Sequence, residues 1–170
     1  MPPFLLALAI TGAAAMPAQA ATTRGWQLAP ATAEHGLVLT YGVDGPVSYR
    51  FECTAKDIVV TETGVTKLLD IKAGTQVGDG PDAVMPQGSA LLAVYGGKGN
   101  PQFKPAEAVK NPAGGWDLSI RLPKDDKQLK AVGKSEMMSL FTTGYTMAVV
   151  MTADDRATWN SFLKQCNAAN

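Results

Sequence analysis

Cys53 and Cys166 are the residues of this chain best placed to do chemistry, and their setting points to a structural bridge. A CxxC redox or zinc pair brings two sulfurs onto one turn, and these two lie far apart in sequence. An even number of thiols in an oxidising compartment predicts one disulfide. Side-chain parity supports the pairing. Tyr49, Phe51 and Cys53 alternate with Arg50, Glu52 and Thr54, as in a half-buried strand. Near the end of the chain, Trp159, Phe162, Leu163 and Cys166 fall at i, i+3, i+4 and i+7, one face of a helix. Both sulfurs therefore point with apolar side chains.

The other candidates are weaker. His35 is the one histidine. A serine-type triad needs a base held by an acid beside a nucleophile, and Glu34 is only its neighbour, which on an extended segment points the other way. His35 is expected at the surface, without metal companions. Glycoside cleavage needs two acids flanking a cleft, and the scattered carboxylates single out no pair. Asp79 and Asp82 share a Gly-rich loop but lack the full calcium-loop pattern, so a solvated turn is expected. Tyr95-Gly96-Gly97-Lys98-Gly99-Asn100 does not match GxxxxGK[ST]. Its glycines are expected to supply positive φ at a strand end.

Thioethers suit Cu(I), yet Met137, Met138, Met147 and Met151 sit among Leu140, Phe141, Val149 and Val150, the setting of core filler. Ser89, Ser119, Ser135 and Ser139 lack a nucleophile elbow, and Lys134-Ser135-Glu136 has no SxxK partner. No metal site and no cofactor is expected.

These residues need elements to hold them, and the chain reads mostly in period two. Leu37–Tyr41, Tyr49–Cys53, Ile58–Thr63, Leu69–Ala73, Ala90–Tyr95, Trp116–Leu122 and Tyr145–Thr152 are the expected strands. The last is apolar on both faces, which predicts a central position. Gly and Pro mark the turns between them, and residues 97–115 are expected to form a long surface loop. The run Lys124-Asp125-Asp126-Lys127 alternates in sign and predicts a solvated turn. A short helical turn follows over Asp126–Val132, ending at Gly133. A longer helix begins after Thr152, a natural cap, with Asp154 and Asp155 in its first turn and Lys164 in its last. Arg156 falls on the face opposite the apolar stripe.

The first twenty residues read as an address. Phe4–Ala15 is apolar and uncharged, Met16-Pro17 breaks it, and Ala18-Gln19-Ala20 places small residues around a cut. No Lys or Arg precedes the run, so the α-amino group alone supplies positive charge there. The run is too short to cross a bilayer core of roughly 30 Å as a helix. We therefore expect residues 1–20 to be a signal peptide and residues 21–170 a single exported domain, periplasmic or secreted. The 170-residue chain balances 15 basic against 15 acidic residues. No basic excess marks it for nucleic acid, and no later segment has membrane length.

Val47-Ser48-Tyr49-Arg50-Phe51-Glu52-Cys53, followed by a β-branched strand and a distant C-terminal cysteine, resembles the small periplasmic lysozyme-inhibitor barrels. The resemblance covers that stretch and implies a β-barrel. The family's inhibitory loop, a Ser-Gly pair followed by a basic residue and a tyrosine, has no match at Gly88-Ser89-Ala90. The C-terminal helix is foreign to the family too, so its function is not carried over.

The expected fold is mainly β, an antiparallel sandwich or partly open barrel with a C-terminal helix packed on it. The expected function is a non-catalytic binding or envelope-accessory domain, with a protein or small-molecule partner. The alternatives are a carboxylate-based hydrolase of cell-wall or exported polymers, and a structural subunit of an envelope assembly.

Overall fold

Strand β3 (Val47–Cys53) shows how the sequence builds the sheet: Tyr49, Phe51 and Cys53 are buried while Ser48, Arg50 and Glu52 remain half-exposed. Period-two alternation in a pleated strand puts successive side chains on opposite faces, so one face becomes core. The computed structural model describes residues 25–32, 35–42, 47–66, 75–76, 84–85, 90–142 and 145–168. Strands β1 (Gly25–Ala29), β2 (Val38–Gly42), β3 and β4 (Asp57–Val65) run as an antiparallel meander. The two-residue strands β5 (Thr75–Gln76) and β6 (Val84–Met85) pair with each other. Then come β7 (Ala90–Tyr95), β8 (Lys104–Lys110), β9 (Trp116–Pro123), helix α1 (Lys127–Val132), β10 (Met137–Thr142), β11 (Tyr145–Val150) and helix α2 (Ala153–Ala168).

Among the described residues the main sheet has nine strands in the order β1-β2-β3-β4-β9-β8-β7-β10-β11, all antiparallel. It curls into a half-barrel with α2 packed against it. The expected partly open barrel is therefore one curved sheet, not two stacked ones. Along β9, Leu118, Ile120 and Leu122 are buried, as the alternation requires.

Helix α2 starts from a reciprocal cap. Thr152 Oγ1 accepts from the Asp155 N–H at 3.1 Å, and Asp155 Oδ2 accepts from the Thr152 N–H at 2.9 Å. This satisfies two of the orphan groups that every helix start leaves. Its stripe of Trp159, Phe162, Leu163 and Cys166 is buried. Trp159 meets Phe51 edge-to-face with ring centroids 4.8 Å apart, and Trp26 at 5.5 Å, geometries that aromatic quadrupoles favour. Asp126 caps α1, its Oδ1 accepting from the N–H groups of Gln128 and Leu129.

Four readings need correction. Residues 97–115 are not one loop, because β8 occupies their middle. Its Lys, Pro and Ala residues have low strand propensity, and partners on both sides override that. Tyr145–Val150 is an edge strand, not a central one: among the described residues nothing pairs with its outer side. Val150 is 76% exposed there, opposite Met137 at 45%. The charged run after β9 is not wholly solvated either. Lys124 is buried, with Nζ donating to the Cys166 carbonyl at 3.0 Å, which covers the end of α2 with a cation. Arg156 is half-buried and donates from Nη1 to the Met151 carbonyl at 2.6 Å. The sequence pattern also passed over β1 and β10; β10 buries Met138, Ser139 and Leu140 in succession, so its alternation is lost. Leu69–Ala73 lies outside the described residues.

Candidate functional site

One part of the half-barrel is closed by covalent chemistry. Cys53 on β3 and Cys166 on α2 are joined, S–S 2.03 Å and Cα–Cα 5.6 Å. Both are buried on core-facing sides, as their parity predicted. This bond fastens the last helix to an early strand and leaves no free thiol among the described residues.

At the far end of the β3–β4 ladder stands a carboxyl. Ile58, Val60 and Glu62 alternate along β4, and all three are buried. Glu62 lies across from Tyr49 on β3 and Leu118 on β9. It is 2% exposed and the one buried carboxyl among the described residues. Its Oε2 has no hydrogen-bond partner among them. Burial pushes its pKa from 4.5 up to about 7, because an ionised carboxylate loses its hydration there without gaining a cation. A carboxyl protonated near neutrality can serve as a general acid. Glycoside cleavage needs a second carboxyl roughly 5–9.5 Å away. Among the described residues no other carboxyl shares its buried face.

A second feature arises where the sheet forks. The start of β8 pairs with β7, through Lys104↔Leu92, Pro105↔Leu91 and Ala106↔Ala90. From Glu107 onward it pairs with β9, through Glu107↔Ser119 to Lys110↔Trp116. Past Ser119, β9 therefore keeps β4 on one side and, among the described residues, pairs with no strand on the other. A cleft of about 470 Å³ opens at this fork, lined by Val59, Lys104, Pro105, Glu107, Ser119 and Arg121 with Ile120. Glu107 and Arg121 are diagonal positions on adjacent strands, roughly 8 Å apart at Cα. The side chains of Lys104, Glu107 and Arg121 make no ion pair or hydrogen bond with a described residue. Nearby, Ser119 Oγ and Thr61 Oγ1 form a hydroxyl pair 2.9 Å apart.

A hollow of about 790 Å³ lies between Lys98–Gln102 and the start of α1. Gln128 crosses it as a strut, with Nε2 donating to the carbonyls of Lys98 and Asn100 and Oε1 accepting from the Gly96 N–H. The Gly-rich loop is thus pinned to α1. Gly97 and Gly99 hold φ of 76° and 73°, the turn role expected of them.

The remaining candidates are dispersed. His35 is exposed, and its Nδ1 lies 3.8 Å from Glu52 Oε1, with Arg50 Nη2 donating to the other carboxylate oxygen at 2.9 Å. Met138 and Met151 are core residues, Met147 packs on the core, and Met137 is exposed beside Val150. Ser135 Oγ accepts from the Met137 N–H, and Ser139 is buried. No cluster of three or more His, Cys, Asp or Glu suited to a metal occurs among the described residues. No described helix is long and apolar enough to cross a membrane. Glu34, Asp79, Asp82 and Ser89 lie outside the described residues.

Compared with protein-family models, curated proteins and solved structures, the chain finds no match among any of them. The geometry itself must therefore carry the functional reading. Sequence reasoning passed over both Glu62 and the fork. Glu62 was legible, because it continues the Ile58–Val60 parity inward. The fork was not, because it depends on β8 changing partners.

Proposed function

We propose that the chain is an exported binding domain, periplasmic or secreted, that holds its ligand without converting it. The observation that carries this reading is the fork cleft, where two cations and one carboxylate face solvent unengaged. Exposed charges lose little by staying hydrated and unpaired, so what matters here is that opposite signs line one concavity. Unpaired among the described residues, these groups can turn to a ligand in the cleft. Export is supported by the apolar leader with Ala18-Gln19-Ala20 and by the buried Cys53–Cys166 bond, since such bonds persist in oxidising compartments.

The test uses the full chain expressed with its own leader. The protein recovered from the envelope fraction should begin at Ala21 and carry no reactive thiol. Equilibrium dialysis against a small-molecule extract of the envelope should enrich a compound, and Arg121→Gln should abolish the enrichment. An intact Met1 in the cytosol would overturn export. No compound retained above buffer would overturn binding.

The raised pKa of Glu62 is the one observation toward a second reading, a carboxylate-based hydrolase of exported polymers, which needs this 2% exposed side chain to become uncovered. Release of reducing ends from cell-wall glycan, lost in Glu62→Gln, would establish it. The structural-subunit alternative rests on the exposed pair Met137 and Val150 and is the least supported.

A further inference from the structure

From the fork cleft we infer a specific ligand class: a zwitterion carrying a free ammonium and a free carboxylate, such as an amino acid or a short peptide. The inference rests on the binding reading above and names the chemistry of that same cleft. Its walls carry opposite charge, with Glu107 on the β8 side and Arg121 on the β9 side, and Lys104 beside the strand switch. The two signs sit on diagonal positions roughly 8 Å apart, and they do not neutralise each other. A simple anion would meet Glu107 as a like charge, and a simple cation would meet Lys104 and Arg121. A molecule with both groups satisfies Glu107 and Arg121 at once, with Lys104 adding positive charge beside the strand switch. Arg presents a planar fork to a carboxylate, which accepts two parallel hydrogen bonds.

The floor adds a second recognition element. Backbone N–H and C=O groups of successive residues in an antiparallel strand turn to opposite sides. At least one of Ile120, Arg121 and Leu122 therefore directs its amide and carbonyl toward the side that β8 has left. Such groups seek a partner, and the amide of a peptide supplies both a donor and an acceptor. Binding would extend the ladder by one short rung, as in strand addition to a sheet edge. A cleft of about 470 Å³ falls in the range of small-molecule sites, so a dipeptide suits it better than a folded partner.

The experiment titrates the oxidised exported chain with L-alanyl-L-alanine, followed by backbone amide NMR and by calorimetry. Two blocked probes, the N-acetyl dipeptide and the dipeptide amide, remove the ammonium and the carboxylate in turn. Saturable binding of the free dipeptide is expected, with shifts centred on Ile120, Arg121 and Glu107. Arg121→Gln should weaken it at least about tenfold and leave the dipeptide amide unaffected. Glu107→Gln should weaken it similarly and leave the N-acetyl form unaffected. Both side chains are exposed, and an unchanged melting temperature shows that each variant is folded. Equal affinity for the free and blocked probes, or no saturation up to about 10 mM, overturns the inference. If an envelope compound is still retained through Arg121 while the dipeptides are inert, the binding reading stands and only the ligand class fails. If neither binds, both fail.

Discussion

The indole Nε1–H of Trp159 donates to the main-chain carbonyl of Leu129 at 2.9 Å, inside the core. One side chain thus joins α2 to α1 across 30 positions of sequence while its ring packs on Phe51 and Trp26. The bond also serves Leu129, whose carbonyl belongs to a helix only six residues long and so has few internal donors to draw on.

Trp159 accordingly carries two separable contributions. Trp159→Phe keeps most of the ring and leaves the carbonyl without its donor, a cost of about 1–3 kcal/mol. Trp159→Ala also opens a cavity and should cost about 3–5 kcal/mol. Arg156→Ala, read from sequence as a solvent-face change, should cost about 1 kcal/mol because its guanidinium bonds the Met151 carbonyl. Urea titration of the three variants gives the order directly. Equal midpoints for Trp159→Phe and the parent chain would remove the hydrogen bond from the account.

The C-terminal helix, its buried stripe and the inward cysteines were legible because each depends on spacing within one element. Trp159, Phe162, Leu163 and Cys166 needed only the helical period, and Tyr49, Phe51 and Cys53 only the pleat. The position of Tyr145–Val150 was not legible. Apolar residues on both faces describe a strand with neighbours, and which strand ends the sheet is decided by topology. Strand β8 failed for a related reason: Pro105 and its alanines resist strand structure locally, and β7 and β9 impose it. The cleft inherits that failure, since it exists only where β8 leaves one neighbour for another.

Stability should fall as pH rises through the Glu62 titration. Its folded pKa of about 7 lies above the ordinary 4.5. Between those values the unfolded chain has released the proton and the folded chain has kept it. The folded state is therefore favoured most below about pH 4.5, as far as this group is concerned, and loses stability up to about pH 7. The loss is on the order of 3 kcal/mol. Glu62→Gln removes the ionisation and should gain on the parent protein at pH 8. Melting curves at pH 5 and pH 8 test this, and a parallel pH response in the two proteins would refute it.

The Cys53–Cys166 bond closes a loop spanning 113 positions. Restricting the unfolded chain over that length is worth on the order of 4–5 kcal/mol in the entropy model. Reduction should lower the melting temperature by roughly 10 °C or more. Calorimetry with and without reductant decides it, and thiol labelling of the denatured, unreduced protein should find no reactive sulfur.

Gly36 should tolerate no side chain. A β-carbon there would stand 1.8 Å from the carbonyl oxygen of Cys53, main chain that cannot swing aside. The same strand end is held by the Cys53 N–H donating to the Leu37 carbonyl at 2.9 Å. Gly36→Ala should destabilise by about 3 kcal/mol, the upper end of ordinary overpacking. Circular dichroism melting would show a fall, and an unchanged midpoint would overturn the close approach of Gly36 to the Cys53 carbonyl.

The order of strands gives the bridge between β3 and α2 one more effect. Cys53 ends the third strand, and Cys166 comes after every described strand of the sheet. Any single cut of the backbone between those two cysteines yields two polypeptides that stay covalently attached. Cleavage in the connection from β4 to β7 would also leave the β4–β9 ladder to hold the pieces in place. A protease could therefore turn the protein into a two-chain molecule that migrates as one on a gel until reductant is added.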